Sequence, residues 1–236
     1  MYGYGYGYYG FDWTYVLLII GMLLSLAAST RLKSTFSYYR KIRSASGLTG
    51  AETAERILRA AGITDVHVRA ISGSLTDHYD PRTKTVSLSE DIYDKTSLAA
   101  VGVAAHECGH AIQHAIGYVP LEFRSAIVPV ANFGSTLSWP LFLIGLFSGI
   151  RPLVTAGIVL FSLAVLFQLV TLPVEINASS RALKMLQSTG ILGSDETKGA
   201  RKVLTAAAMT YVAALAASIL QLLRLLILAG GRRRDD

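Results

Sequence analysis

The chain has 236 residues, of which 52% are hydrophobic and only 16% are charged, and its formal net charge is +6. Soluble domains average about a quarter charged residues, so this composition excludes an ordinary soluble domain and predicts a membrane protein whose first partner is the lipid bilayer. Nucleic acid is not an expected partner, because the basic residues flank apolar blocks and no RNA-binding aromatic motif accompanies them.

The N-terminal part combines a low-complexity tail with a first membrane span. Residues 1–10 are a Tyr/Gly-rich tail for which we predict no fixed structure. Residues 11–28 form an apolar block long enough to cross a bilayer. Five basic residues follow within 31–43. Since Lys and Arg favour the cytoplasmic side, we predict that the N-terminus is outside the cell and the next segment inside.

Residues 44–124 are predicted to form a small cytoplasmic α+β segment. Helical spacing of apolar residues predicts one helix, alternation predicts one short strand, and the turn at Pro81-Arg82 predicts two more extended segments that flank it. These four elements are predicted over 49–61, 66–71, 75–80 and 84–88. A further helix is expected to begin near Asp91, and Ser97 is suited to be the N-cap of the helix that follows.

An HExxH motif, formed by His106, Glu107 and His110, lies inside that apolar, helix-like run. Residues four apart share one face of an α-helix, so both imidazoles can bind a single cation. Glu107 is placed to act as general base on a metal-activated water. Two imidazoles and a carboxylate are costly in an apolar helix unless a metal compensates them. The motif predicts one Zn²⁺ per chain; the alternative is a pair of core histidines at this spacing.

Two other donors in this helix are less suitable as ligands. Cys108 points away from the histidine face, and we predict a small buried side chain rather than a third ligand. As the sole cysteine of the chain, it also forms no internal disulfide. His114 lies one further turn along, and three consecutive turns cannot converge on one tetrahedral ion. We therefore expect His114 to cap or line the site, or to end the helix.

Three apolar blocks follow the soluble segment. We predict a transmembrane hairpin, a second cytoplasmic segment, a last transmembrane or interfacial helix and a charged tail, over 127–172, 173–204, 205–228 and 229–236. Four crossings would place Arg232, Arg233 and Arg234 outside, against the positive-inside tendency. A last helix that lies along the membrane is the alternative, and four crossings are favoured.

Glu175 is the predicted third zinc ligand. Hydrolytic zinc sites use three protein ligands and leave one position open. The hairpin leaves and returns on the same side of the membrane, so its end brings Glu175 back toward His106. A solitary acid within an apolar stretch is otherwise hard to explain. The alternative is an interfacial carboxylate paired with Arg181.

A polar cluster over 77–80 is the remaining candidate for chemistry. A peptidase needs a donor for the oxyanion of its tetrahedral intermediate, and His78 or Tyr79 could supply it. The same segment could pair with the substrate backbone as an edge strand. A polar turn before Pro81 fits the sequence equally well.

Three segments together resemble the YugP-type family of bacterial membrane zinc metallopeptidases. They are LTDHYDP at 75–81, HECGHA at 106–111 and LPVEINA at 172–178. The layout is also similar to HtpX-type peptidases, in which a transmembrane hairpin separates HExxH from a later glutamate ligand. The resemblance implies a gluzincin-like site with His106, His110 and Glu175 on zinc. It also implies a multi-pass protein of the bacterial inner or plasma membrane.

One position departs from the HtpX-type pattern. Those proteins continue after the glutamate ligand with alanine and then an aspartate that orients a ligand histidine. Here Ala178 keeps the alanine, but Ser179 stands where the aspartate is expected. The partner of the ligand histidine must come from elsewhere, and the candidates are Asn177 and Ser179 itself.

The sequence as a whole predicts a mainly α integral membrane protein with about four transmembrane helices and a small α+β, zincin-like cytoplasmic segment. The expected activity is that of a zinc-dependent endopeptidase acting on polypeptides or membrane proteins. The rival is a non-proteolytic membrane scaffold or adaptor with a structural metal. Glu107 argues against the rival, because a structural site needs no base, and structural zinc favours four protein ligands, often cysteines. The sequence favours no particular oligomeric state.

Overall fold

The computed structural model describes residues 12–231 and contains six helices and three strands in that range. They are α1 (Tyr15–Tyr39), α2 (Gly50–Ala60), β1 (His67–Ile71), β2 (His78–Asp80), β3 (Thr85–Ser89), α3 (Leu98–Ala115), α4 (Val119–Ser148), α5 (Arg151–Ser188) and α6 (Ser194–Gly231). The predicted Tyr/Gly-rich tail and the arginine cluster at 232–234 lie outside the described residues.

Four of the helices, α1, α4, α5 and α6, are long and apolar enough to cross a membrane. Their outward side chains are large and apolar; Met22 and Leu26 of α1, for example, are 58% and 61% exposed. Such exposure is expected where lipid rather than water surrounds a helix. The predicted fold class, a mainly α membrane protein with a small sheet, is therefore confirmed.

The membrane helices extend beyond the apolar blocks that predict them. Helix α1 continues to Tyr39, and α5 continues past Pro173 to Ser188. A proline inside a membrane helix is tolerated when neighbouring groups satisfy the backbone that it leaves unpaired. Glu175 therefore lies on the same continuous helix as the second half of the hairpin. Any shift of that helix in the membrane moves Glu175 with it.

Helices α4 and α5 form a tight antiparallel hairpin. Only two residues link them, and Gly149 adopts a left-handed conformation with φ of 72° at the end of α4. A Cβ atom added to Gly145 would lie 2.6 Å from the backbone nitrogen of Val154, and one added to Gly157 would lie 2.8 Å from that of Phe142. The absence of side chains at these glycines is what lets the two backbones approach so closely.

Helix α6 packs on α5 along one side and on α1 along the other. Near the far end of this pair Arg224 is only 8% exposed. Its Nε donates to the Thr14 hydroxyl at 3.3 Å, and its guanidinium lies 4.4 Å from the centre of the Tyr15 ring. A cation at membrane depth requires such partners, so this contact fixes the start of α1 against the end of α6.

The soluble part is a three-stranded sheet with order β1-β3-β2, covered by α2 and α3. Strand β3 pairs parallel with β1 and antiparallel with β2, and all five of its residues are buried. Strand β2 is an edge strand and lies beside α3. Helix α2 begins with a capping box formed by Thr49 and Glu52, in which each residue satisfies a free backbone N–H at the start of the helix.

The helix predicted near Asp91 is wrong, because residues 90–94 form turns. The carbonyls of Tyr93 and Lys95 accept hydrogen bonds from the backbone nitrogens of Ala51 and Gly50. These carbonyls satisfy the free N–H groups at the start of α2 and are not available for a helix of their own.

Helix α3 runs through the centre of the protein, between α2 on one side and α5 and α6 on the other. The Ser97 hydroxyl accepts from the backbone nitrogen of Ala100 at 3.2 Å and so caps α3, as predicted. A Cβ atom added to Gly109 would lie 2.4 Å from the carbonyl oxygen of Ala178 on α5. Gly102 is less tightly enclosed, since its added Cβ would lie 3.4 Å from the Cβ of Ala200.

These two glycines give a matched pair of variants. We expect Gly109→Ala to force α3 and α5 apart and to destabilise the protein by about 1–3 kcal/mol, as overpacking of a tight core does. Gly102→Ala adds the same methyl group to the same helix where ordinary contact is available. Thermal unfolding in detergent should show a clear drop for the first variant and little change for the second. Equal melting temperatures for both variants would contradict the tight α3–α5 contact.

Candidate metal centre

Three candidate ligands meet where α3 crosses α5. The Nε2 atoms of His106 and His110 lie 3.2 Å and 3.6 Å from Oε2 of Glu175. One donor atom from each of the three residues lies within 4.8 Å of the others. The structure thus brings together the three residues that the sequence proposed as metal ligands, two from successive turns of α3 and one from α5.

Each imidazole is held by a hydrogen bond at its other nitrogen. Nδ1 of His106 lies 3.1 Å from the Ser179 hydroxyl, and Nδ1 of His110 lies 3.0 Å from Oε1 of Gln113. A partner at Nδ1 fixes the orientation of the ring and leaves Nε2 free to bind a cation. Ser179, which stands where an aspartate was expected, therefore occupies the orienting position itself.

Gln113 is fixed by contacts with α5. Its Nε2 donates to the carbonyl of Val174 and to Oδ1 of Asn177, both at 2.9 Å. With both amide hydrogens used in this way, its oxygen is left to accept the Nδ1–H of His110. Asn177, the other candidate orienting residue, thus acts on His110 through Gln113 rather than on His106.

Arg181 does not pair with Glu175, which was the alternative explanation of that carboxylate. Its Nε donates to Oδ1 of Asn177 at 2.7 Å, and its guanidinium lies 5.8 Å from the centre of the Tyr118 ring. The guanidinium that pairs with Glu175 is instead that of Arg124 on α4, whose Nη2 lies 3.7 Å from Oε1. Glu175 is 3% exposed, so its charge requires the partners that converge on it.

Glu107 lies in the same turn of α3 as the first histidine and is 7% exposed. Burial raises the pKa of its carboxyl group above the ordinary value of a glutamate. A raised pKa suits a group that must take up and then release a proton. Cys108 is fully buried on another face, and its thiol contacts the carbonyl of Ala54 at 3.5 Å, in agreement with the prediction that it fills space.

A cleft of about 190 Å³ opens over this centre. It is lined by the three candidate ligands, Glu107, residues of β2 and residues of the membrane helices α4 and α6. These are Asp77, His78, Tyr79, Pro81, His106, Glu107, His110, Leu121, Arg124, Ser125, Glu175 and Tyr211. The candidate ligands are therefore accessible from outside rather than enclosed.

His78 and Tyr79 both reach this cleft from β2. His78 is exposed, and its Nδ1 lies 2.9 Å from the carbonyl of Thr76. The hydroxyl of Tyr79 lies 2.8 Å from Nδ1 of His114, and burial raises the pKa of this phenol to about 12. His114 thus contacts the cleft through Tyr79 and stands apart from the three converging ligands.

Sequence reasoning missed two polar residues of the cleft, Arg124 and Tyr211. Nε of Arg124 is buried and has no hydrogen-bond partner among residues 12–231. Tyr211 of α6 lines the cleft and interacts with the Glu175 carboxylate. Arg124 was assigned to the end of the soluble segment and Tyr211 to an apolar block. A signal for each existed, since a cation at a membrane boundary and a phenol within a span both need a polar partner.

The donor set fits zinc. Imidazole nitrogens and a carboxylate are the ligands of many catalytic zinc sites, and three of them leave a position open for water. Hydrogen bonds that orient the ligand histidines are a regular feature of such sites. Here the two histidines, the glutamate and the orienting contacts are all present.

Comparison with known proteins agrees with this geometry. The family described as "Putative neutral zinc metallopeptidase" matches residues 14–230. The chain belongs to this family. A relative from Bacillus subtilis (strain 168), named "Putative membrane protease YugP", is 49% identical over 217 residues, which cover 92% of this chain and 96% of that protein. No solved structure matches the chain.

The family resemblance stated from the sequence is thus confirmed, and so is the expectation of a zinc cofactor. The four long apolar helices and the membrane relative together identify the chain as a membrane protein. His106, His110 and Glu175 form its possible metal site.

The contacts of Gln113 lead to a test of the orienting role. We expect Gln113→Leu to lower zinc affinity by about 10- to 100-fold, because loss of a hydrogen bond to a ligand histidine typically has that effect. Cys108→Ala is the matched control on the same helix and should leave affinity unchanged. Competition with a chromogenic zinc chelator measures both. An unchanged affinity in Gln113→Leu would show that the His110 ring needs no such partner.

Proposed function

We propose that this neutral zinc metallopeptidase is an endopeptidase that hydrolyses peptide bonds at the cytoplasmic surface of the membrane. The observation that carries the proposal is the placement of Glu107 beside three converging ligand atoms at the base of an open cleft. A base, a metal site with an open position and room for a polypeptide are the parts that hydrolysis of an amide requires.

In this proposal His106, His110 and Glu175 hold the zinc ion. When bound, zinc supplies Lewis acidity that brings the pKa of a water molecule to about 7. Glu107 takes the proton from the attacking water and passes it to the nitrogen of the leaving amine. The other groups of the cleft orient the peptide and stabilise the charge that develops on its carbonyl oxygen.

Arg124 and Tyr211 are the strongest candidates for that stabilisation. Both line the cleft, and the Arg124 guanidinium, whose Nη2 lies 3.7 Å from Oε1 of Glu175, carries donors for an incoming carbonyl oxygen. His78 and Tyr79 remain candidates for substrate contacts. They differ in that Tyr79 already shares its hydroxyl with His114, whereas His78 is exposed at the mouth of the cleft.

The free edge of β2 supports binding of an extended polypeptide. Among residues 12–231, strand β2 pairs with β3 alone, and His78 and Tyr79 of β2 line the cleft. An extended peptide can add to such an edge through backbone hydrogen bonds, which depend little on the side chains of the peptide. This geometry favours polypeptides and membrane proteins with unfolded stretches as substrates.

The assignment of the cleft to the cytoplasmic side rests on charge. The end of α1 that enters the soluble part carries Arg40, followed by Lys41 and Arg43. Basic residues at a membrane boundary favour the cytoplasm. The cleft lies on the same side as this end because α3 and the sheet follow α1 directly in the chain. No feature of the site favours the rival scaffold role, which has no use for Glu107.

The decisive variant is Glu107→Gln. We expect it to lower cleavage of an unfolded reporter polypeptide by at least about 100-fold, since loss of a general base commonly costs 10²- to 10⁴-fold, and to keep one zinc per chain. Glu122→Gln, an exposed acid on α4, is the control. Reporter cleavage and zinc content are measured on detergent-purified protein. Zinc retention with equal rates in wild type and Glu107→Gln would favour the scaffold.

A second test separates two roles of Arg124. If its guanidinium stabilises the oxyanion, Arg124→Lys lowers kcat by about 10²- to 10³-fold, as removal of an oxyanion donor does, and leaves zinc content unchanged. Arg59→Lys is the matched control, because Arg59 is exposed on α2 and does not line the cleft. A loss of zinc from Arg124→Lys would instead assign Arg124 to holding Glu175.

A further inference from the structure

One face of α4 carries polar groups from the cleft into the membrane. Ser125, Asn132, Ser135 and Thr136 are all exposed, and at 3.6 residues per turn they lie within about a third of the circumference of the helix. We refer to these four residues as the α4 polar face. Ser125 also lines the cleft, so the face and the cleft are continuous.

Two prolines add free backbone acceptors to this face. Proline has no N–H and therefore leaves the carbonyl four residues earlier without its helical donor. Pro129 and Pro140 lie inside α4, and the carbonyls that lose this donor are those of Ser125 and Thr136. Both belong to the α4 polar face.

The carboxamide of Asn132 is the polar side chain of this face that lacks a partner. The hydroxyls of Ser135 and Thr136 donate to the backbone carbonyl oxygen of Asn132 at 3.0 Å and 2.9 Å, so these two side chains are satisfied within the helix. For the Asn132 side chain the structure gives no hydrogen bond to any residue from 12 to 231. An unpaired amide in hydrocarbon costs several kcal/mol.

Asn132 lies at membrane depth. About 16 residues separate it from Ser148 at the hairpin end of α4, which corresponds to about 24 Å along the helix at 1.5 Å per residue. The hydrocarbon core is about 30 Å thick. With the hairpin link at the far surface, Asn132 is inside the hydrocarbon and in the half of the bilayer next to the cleft.

The other faces of α4 are accounted for. Gly134 and Gly145 pack on α5, and Val130 and Phe133 are 54% and 64% exposed, as suits contact with lipid. The α4 polar face matches neither environment. In membranes such polar groups are satisfied by hydrogen bonds to another helix or chain.

We propose that the α4 polar face docks a membrane-spanning segment of a substrate and guides it into the cleft. This inference rests on the proposed peptidase function and names its substrate class. A segment bound along this face meets the Asn132 amide within the bilayer and then the free carbonyl of Ser125 at the cleft. At the cleft, the partly unwound backbone of the substrate can donate its N–H groups to the Ser125 carbonyl just before it reaches Glu107.

Continuity with the cleft favours a substrate over a second copy of this chain. A partner fixed permanently along the face would extend to Ser125 and Arg124 and would narrow the entrance to Glu107. A transient segment satisfies Asn132 while bound and delivers the bond to be cleaved. Lipid headgroups do not reach the depth of Asn132 and cannot replace it.

The first test compares two reporters with the same cleavable sequence, one soluble and unfolded and one fused to a single membrane-spanning helix. In lipid vesicles, Asn132→Leu should lower the ratio of anchored to soluble cleavage rates by about three- to tenfold, the value of one interhelical hydrogen bond. Phe133→Leu, on the lipid side of the same helix, should leave the ratio unchanged. An unchanged ratio in Asn132→Leu overturns the proposal.

The second test measures binding of the anchored reporter in the absence of cleavage. A photocrosslinking residue at position 136, one turn from Asn132 on the α4 polar face, is placed in the Glu107→Gln protein, which is then mixed with the anchored reporter. Crosslinks to the membrane-spanning helix of the reporter support the proposal, and crosslinks only between copies of the chain overturn it. Because this readout needs no cleavage, an inactive wild-type enzyme would refute the peptidase function and leave the docking result standing.

Discussion

The contact between α3 and α5 at Gly109 is the constraint on which the centre depends. The carbonyl oxygen of Ala178 fills the space that a side chain at Gly109 would need. At this separation Oε2 of Glu175 lies within 3.6 Å of both histidine Nε2 atoms. The orienting contacts cross the same boundary, from Gln113 to Val174 and from Ser179 to His106. Helix packing and ligand geometry therefore depend on each other. A shift of α5 by even an ångström would disturb the ligand distances and the orienting hydrogen bonds together.

The parts of the site that could be predicted are those with a local signature. HExxH places two ligands and a base on one helix by spacing alone, and Glu175 stands out as an acid in an apolar stretch. Gln113 has no such signature, and the sequence signals of Arg124 and Tyr211 show only that each needs a polar partner. Their roles arise from the way α3, α4 and α6 pack against α5, which depends on close contacts at glycines such as Gly109 and Gly157.

The same reasoning explains which parts of the fold were predictable. Apolar blocks located all four membrane helices because hydrocarbon demands about 20 apolar residues. They did not locate helix ends, since a helix continues into water wherever its residues allow it. In α5 this continuation carries the chain from the hairpin through Glu175 to Ser188. The turns after β3 were misread as a helix because the carbonyls of Tyr93 and Lys95 serve α2, a tertiary demand that no local pattern reveals.

The membrane helices differ in how fully their polar groups are paired. In hydrocarbon each unpaired polar group is costly, and Arg224 meets this demand through Thr14 and Tyr15 at one end of the α1–α6 pair. On α4 the need for hydrogen-bond partners is satisfied only in part. The Asn132 amide and the carbonyl of Ser125 are the groups left without a partner, and both lie on the face of α4 that continues into the cleft. A fold that only needed to anchor a soluble peptidase would gain stability by replacing Asn132 with an apolar residue. Its presence on the face that continues into the cleft therefore supports the proposal that the membrane helices bind substrate as well as anchoring the protein.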